Sequence, residues 1–106
     1  SGDKALCFLT QTFKKNLRTS DIFARVGGEE FCALLPETTV RAAYKVGDKI
    51  RKMIEKNSVT IGIPFTLSIG VAGHNGSSTV NQLYVRADRA LYLAKENGRN
   101  RVELAI

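Results

Sequence analysis

The chain has 106 residues, 43% of them hydrophobic and 25% charged, which allows one folded domain with its own core and excludes a disordered chain. An excess of 16 Lys and Arg over 10 Asp and Glu gives a formal charge of +6, favouring anionic partners such as nucleotides, nucleic acids or acidic lipids. No run approaches the ~18 apolar residues of a membrane span and no charged-then-apolar leader opens the chain. Cys7 and Cys32 lack metal-ligand spacing and read as buried free thiols, which suits a reducing cytoplasm.

Leu6, Leu9, Phe13 and Leu17 recur every three or four residues behind Asp3, a good N-cap, and predict an amphipathic helix over residues 4–17. Apolar runs predict strands over residues 22–26 and 30–35, joined at Gly27-Gly28 in a hairpin and ended by Pro36. Thr38 or Thr39 opens the next helix, with a buried stripe of Val40, Ala43, Val46, Ile50 and Ile54 and an outer face rich in Lys and Arg. Asn57, Gly62 and Pro64 punctuate a connection with a short irregular strand at residues 59–61, and Phe65, Leu67, Ile69 and Val71 then alternate as a half-buried strand. After a loop over residues 73–78, Val80, Leu83, Ala87, Leu91 and Ala94 predict a last helix closed by Asn97-Gly98, and Val102, Leu104 and Ile106 a final strand. No linker or repeat divides the chain, so residues 1–106 read as a single domain. The order α-β-β-α-β-α-β, preceded by one more strand, is the pattern of a ferredoxin-like α/β domain with extra elements at its end.

The hairpin residues Gly27-Gly28-Glu29-Glu30-Phe31 carry the most chemistry. Two glycines let a polyanion approach the backbone N–H groups, and two adjacent carboxylates are hard oxygen donors of the kind Mg2+ takes. Neighbouring strand residues face opposite ways, so both acids reach one face only if the turn twists them together. The plain alternative is an acidic turn that keeps a hairpin edge soluble.

This pentapeptide resembles the GG(D/E)EF motif of the GGDEF family of diguanylate cyclases, and five further stretches resemble that family in the same order. They are Ser1-Gly2-Asp3-Lys4-Ala5-Leu6; Arg18-Thr19-Ser20-Asp21 with Arg25; Leu34-Leu35-Pro36; Thr66-Leu67-Ser68-Ile69-Gly70-Val71-Ala72; and Ala87-Asp88-Arg89-Ala90-Leu91-Tyr92-Leu93-Ala94-Lys95 followed by Gly98-Arg99-Asn100. The resemblance implies an α/β (α+β) fold, a ferredoxin-like, nucleotidyl cyclase palm-type sheet with helices packed on it. It also implies a central first strand that this sequence lacks, so that residues 1–106 are a single GGDEF domain truncated at its N-terminus.

For function, the resemblance implies a magnesium- or manganese-dependent transferase of bacterial second-messenger signalling that condenses two GTP into cyclic di-GMP with release of pyrophosphate, acting as a homodimer. By the same resemblance Glu29 ligates metal and accepts the hydroxyl proton, Glu30 is the companion carboxylate, and Gly27 and Gly28 line the triphosphate. Lys95 and Arg99, four residues apart and so on about one helix face, grip the outer phosphates. Their alternative role is to favour a helix C-terminal dipole. Asp3 falls where the family reads guanine, although an N-cap is equally good physics for it.

Arg18 and Asp21 match the family's RxxD inhibitory site for cyclic di-GMP, since a guanidinium stacks on a base and donates paired hydrogen bonds to it. A surface ion pair is the alternative. Arg25 and Arg41 are nearby basic candidates, and His74 has no ligand-spaced partner and no assigned role. The family's first strand carries an aspartate that bridges the metals, a lysine near the phosphates and an asparagine for guanine. Without them the chain alone is expected to be inactive. Two other functions are compatible with the sequence: a non-catalytic cyclic di-GMP or GTP binding module, and a basic ferredoxin-like RNA binder. The second is disfavoured because Phe65 is the only aromatic in the strand it shares with Leu67, Ile69 and Val71.

Overall fold

The computed structural model describes residues 2–27, 30–74, 76 and 78–105, with residues 2, 3, 24–27 and 30 described through their backbone. The elements are α1 (Gly2–Asn16), β1 (Ile22–Gly27), β2 (Glu30–Leu34), α2 (Val40–Thr60), β3 (Ile69–Val71), α3 (Val80–Glu96) and β4 (Val102–Leu104). Their order is the predicted one. Among the described residues the strands form two separate two-stranded sheets, an antiparallel β1–β2 hairpin and a parallel β3–β4 pair.

Three of the boundaries that differ from the sequence reading have an identifiable cause, and most others shift by one or two residues. Helix α1 already includes Gly2, so the Asp3 backbone lies in its first turn and not at its cap. Helix α2 runs through Val59 to Thr60, where β-branched residues suggested a strand. Its end is fixed from outside the propensities: the fully buried Ser58 hydroxyl donates to the Phe65 carbonyl (3.0 Å) and accepts from the Phe65 N–H (3.1 Å), while Ile63 N–H bonds Ser58 O and Gly62 N–H bonds Val59 O in a Schellman closure. Strand β3 is shorter than the alternating run, because its ladder to β4 covers only Ile69↔Val102, Gly70↔Glu103 and Val71↔Leu104. Phe65 and Leu67 keep their inward orientation without a ladder and pack on the core.

That core is Leu9, Ile50 and Ile54, flanked by Phe8, Phe13, Val46 and Phe65. Phe13 stacks on Phe23 (4.5 Å between ring centroids) and Phe23 on Phe31 (5.5 Å), which fastens both hairpin strands to α1. Val71, Ala90, Ala94 and Val102 are buried where α3 crosses the parallel pair. Thr39 caps α2 through the Ala42 N–H, and Thr79 with Gln82 makes a reciprocal capping box on α3. No helix among the described residues is long and apolar enough to cross a membrane.

The cysteines are free, as expected, but only Cys32 is partly covered; Cys7 is exposed on the outer side of α1. Burial pushes the Cys32 thiol above its ordinary pKa and keeps it protonated at neutral pH. Iodoacetamide at pH 7.5 is therefore expected to alkylate Cys7 well before Cys32, with peptide mass spectrometry as the readout and equal rates as the contrary result.

Candidate functional site

The segment between α1 and β1 turns tightly, with Asp21 N–H bonding Arg18 O at 3.0 Å. Asp21 folds its carboxylate back over that turn: Oδ2 accepts the Arg18 N–H at 2.7 Å and Oδ1 accepts from Arg18 Nη2 at 3.3 Å. The same Nη2 donates to the Pro36 carbonyl at 2.8 Å and to the Thr38 hydroxyl, and that hydroxyl bonds Pro36 O at 3.0 Å. The Arg18 side chain is 56% exposed while Asp21 is only 3% exposed beneath it. A groove of about 370 Å³ opens beside the pair, lined by Arg18, Asp21, Glu37, Thr38, Thr39 and Val46 among others. Arg18 and Asp21 thus form the local ion pair that the sequence offered as the alternative to a ligand site, and the pair is anchored to the β2–α2 loop. Pro36 and Thr38 were not foreseen in this role. The only hint in the sequence is that one of two adjacent threonines is spare once Thr39 caps the helix.

At the other candidate cluster, Lys95 is exposed in the last turn of α3. The helix closes through Asn97 N–H on Leu93 O and Arg99 N–H on Ala94 O, both 2.8 Å, across Gly98 at φ 119°. Arg99 thus lies beyond the helix, and its spacing from Lys95 does not place the two on one helical face. Arg99 and Asn100 both have left-handed backbones (φ 63° and 45°), a strained pair that must be held from outside. Asn100 supplies the hold: its Oδ1 accepts from Arg51 Nη1 (2.9 Å) and its Nδ2 donates to Glu55 Oε2 (2.7 Å), tying the α3–β4 corner to α2. Arg51 is itself aimed by Asp48 at 2.9 Å. Burial pushes the Asp48 carboxyl up, but hydrogen bonds and charge from Arg51 and Lys52 outweigh it and hold the group below its ordinary range. Asn100 belongs to the matched motif, yet no role was assigned to it from sequence.

At the hairpin, β1 ends at Gly27 and β2 begins at Glu30, the two paired across the ladder with an irregularity between Arg25 and Gly27. Such an irregularity increases local twist. Gly28 and Glu29 lie outside the described residues, as do the side chains of Asp3 and Glu30. His74 accepts the Gly76 N–H on Nδ1 and bonds Ser78 O through Nε2, both 3.0 Å, which braces its own loop.

Residues 1–101 match the family model described as diguanylate cyclase, GGDEF domain. The chain belongs to the GGDEF family. It is 46% identical over 102 residues to diguanylate cyclase DgcM of Escherichia coli K12 and 40% identical over 109 residues to diguanylate cyclase A of Treponema denticola, alignments covering 95% and 99% of this chain. These cover 25% and 29% of those relatives, so the GGDEF chain spans about a quarter of the length of the curated proteins it matches. Among solved structures it is similar to the active GGEEF domain of a diguanylate cyclase from Vibrio cholerae, with TM-score 0.90, 36% identity and coverage of 99% of this chain and 69% of that one. It is also similar to the GGDEF domain of DgcB from Caulobacter crescentus in complex with c-di-GMP, with TM-score 0.87, 28% identity and coverage of 98% and 64%. The mixed helix-and-strand fold is thus that of GGDEF domains, as the sequence motifs implied.

Proposed function

We propose that this GGDEF domain is the catalytic part of an enzyme that condenses two GTP into cyclic di-GMP, with product inhibition at Arg18 and Asp21. The reading is carried by the hairpin: a Gly-Gly-Glu-Glu-Phe run within which Gly27 pairs with Glu30, in a domain of the diguanylate cyclase family. In each half-reaction a ribose 3′-oxygen bonds to the α-phosphorus of the other GTP, the bond from that phosphorus to the bridging oxygen breaks, and pyrophosphate leaves. Glu29 takes the hydroxyl proton. Glu29 and Glu30 are hard donors that fit Mg2+ or Mn2+, which when bound lowers the pKa of the attacking hydroxyl and offsets charge on the leaving oxygen.

Gly27 and Gly28 leave room for the triphosphate, Lys95 and Arg99 bind its outer phosphates, and Asp3 accepts from guanine. Two domains facing each other, each holding one GTP, supply the two nucleotides. Two carboxylates fill only part of an octahedral shell, so residues 1–106 alone are expected to be inactive. The test uses the full-length protein carrying this domain, incubated with GTP and Mg2+ and analysed by product chromatography. Cyclic di-GMP and pyrophosphate are expected in a 1:2 ratio. GTP left intact by a protein that binds cyclic di-GMP would make the domain a binding module.

For the inhibitory site, Arg18→Ala and Asp21→Ala are each expected to weaken cyclic di-GMP binding about tenfold or more, the worth of a charge-assisted hydrogen bond. Initial GTP turnover should not fall. Calorimetry with unchanged affinity in both variants would return the pair to a local ion pair.

A further inference from the structure

The Arg18–Asp21 pair is closed upon itself. A guanidinium presents paired donors along two edges, Nε with Nη2 and Nη1 with Nη2, and both edges include Nη2. In this structure Nη2 already faces three acceptors: Asp21 Oδ1, the Pro36 carbonyl and the Thr38 hydroxyl. Guanine offers O6 and N7 as paired acceptors, and an arginine takes them through one such edge. Neither edge is free to do so. Asp21 is engaged too: Oδ2 accepts the Arg18 backbone N–H, Oδ1 accepts from Nη2 and the side chain is 3% exposed, so Oδ1 is open to a base edge only once the guanidinium moves.

We propose that Thr38 and the Pro36 carbonyl form a latch that competes with ligand for Arg18 and sets the affinity of this site for guanine nucleotides. The inference rests on the reading of Arg18 and Asp21 as a cyclic di-GMP site. Opening the latch transfers Nη2 from the β2–α2 loop to the base and uncovers Asp21, so the loop's own hydrogen bonds are subtracted from binding. Thr38 is the point at which this can be altered, because its hydroxyl both accepts from Arg18 and holds the Pro36 carbonyl. It is not the helix cap, which is Thr39.

The experiment is calorimetric titration of cyclic di-GMP into the full-length protein and its Thr38→Val, Thr38→Ser and Arg18→Ala variants. Thr38→Val preserves shape and removes the hydroxyl, and is expected to tighten binding about two- to tenfold, the worth of one hydrogen bond. Thr38→Ser keeps the hydroxyl and is expected to bind as wild type. A purely structural role for Thr38 would lower the melting temperature of the valine variant without improving affinity. Unchanged or weaker binding by Thr38→Val overturns the latch, as does equal tightening by Thr38→Ser. Wild-type affinity in Arg18→Ala overturns instead the reading of the site on which the latch rests.

Discussion

Gly70→Ala is expected to unfold the domain or lower its melting temperature by roughly 15 °C or more. A Cβ at Gly70 would sit 2.2 Å from Ala87 O, 2.3 Å from Leu91 N and 2.9 Å from Leu91 Cα. All three are backbone atoms of α3, so no side-chain rotation relieves the clash, and the helix must lift off β3. Lifting it opens the layer of Val71, Ala90, Ala94 and Val102 that joins α3 to the parallel pair. Overpacking of this kind costs about 3 kcal/mol or more, out of a total stability of about 5–15 kcal/mol. At about 4–8 °C per kcal/mol for a chain of this size, the shift follows. Gly47→Ala is the internal comparison. It lies within α2, its Cβ would meet Ile69 Cγ2 at an ordinary 3.6 Å, and alanine is favoured over glycine in a helix by about 1 kcal/mol, so the variant should melt several degrees higher. A Gly70→Ala protein that melts with the wild type would mean that β3 and α3 do not approach at their backbones.

Glu29→Ala and Glu30→Ala are each expected to abolish cyclic di-GMP synthesis by the full-length protein while leaving its melting temperature within a few degrees. The acids follow a strand that is held by other means: the Phe13–Phe23–Phe31 stack fixes the hairpin to α1 from residues outside the turn. Removing a carboxylate there costs little folding energy. On the proposed mechanism it takes away either the proton acceptor or a donor for a divalent cation, and removal of a group that acts only at the transition state lowers kcat rather than KM. The cyclic di-GMP site proposed at Arg18 and Asp21 lies on a different turn, so binding there is expected to be retained. Loss of both synthesis and binding would point to a folding defect.

Much of the fold was legible because its signals are local. Period-three-and-four stripes locate all three described helices, the choice of Thr38 or Thr39 and the pair Asn97-Gly98 bound two of them, and Pro36 stops β2. The capping box of Thr79 and Gln82 is equally local. What the sequence left open depends on partners far along the chain. The end of α2 is set by Ser58 meeting Phe65, β3 is shortened because only β4 lies beside it among the described residues, and Cys7 is exposed because α1 buries its other side.

The site divides in the same way. Arg18 and Asp21 are three residues apart, and their pairing could be anticipated, whereas Pro36 and Thr38 reach Arg18 from across the hairpin. Four-residue spacing placed Lys95 and Arg99 on one helical face, but a left-handed C-terminal turn intervenes, and Asn100 with Arg51 and Glu55 holds it. Six motifs in one order pointed to the family, since their joint order and spacing are far more specific than any single match.

The central claim is that the Gly-Gly-Glu-Glu-Phe hairpin performs chemistry and does not merely cap a strand pair. The most direct measurement is product chromatography of GTP incubated with Mg2+ and either the full-length wild type or its Glu29→Ala, Glu30→Ala double variant, both first shown to melt alike. Cyclic di-GMP from the wild type and none from the double variant is the predicted result; equal product from both would contradict it.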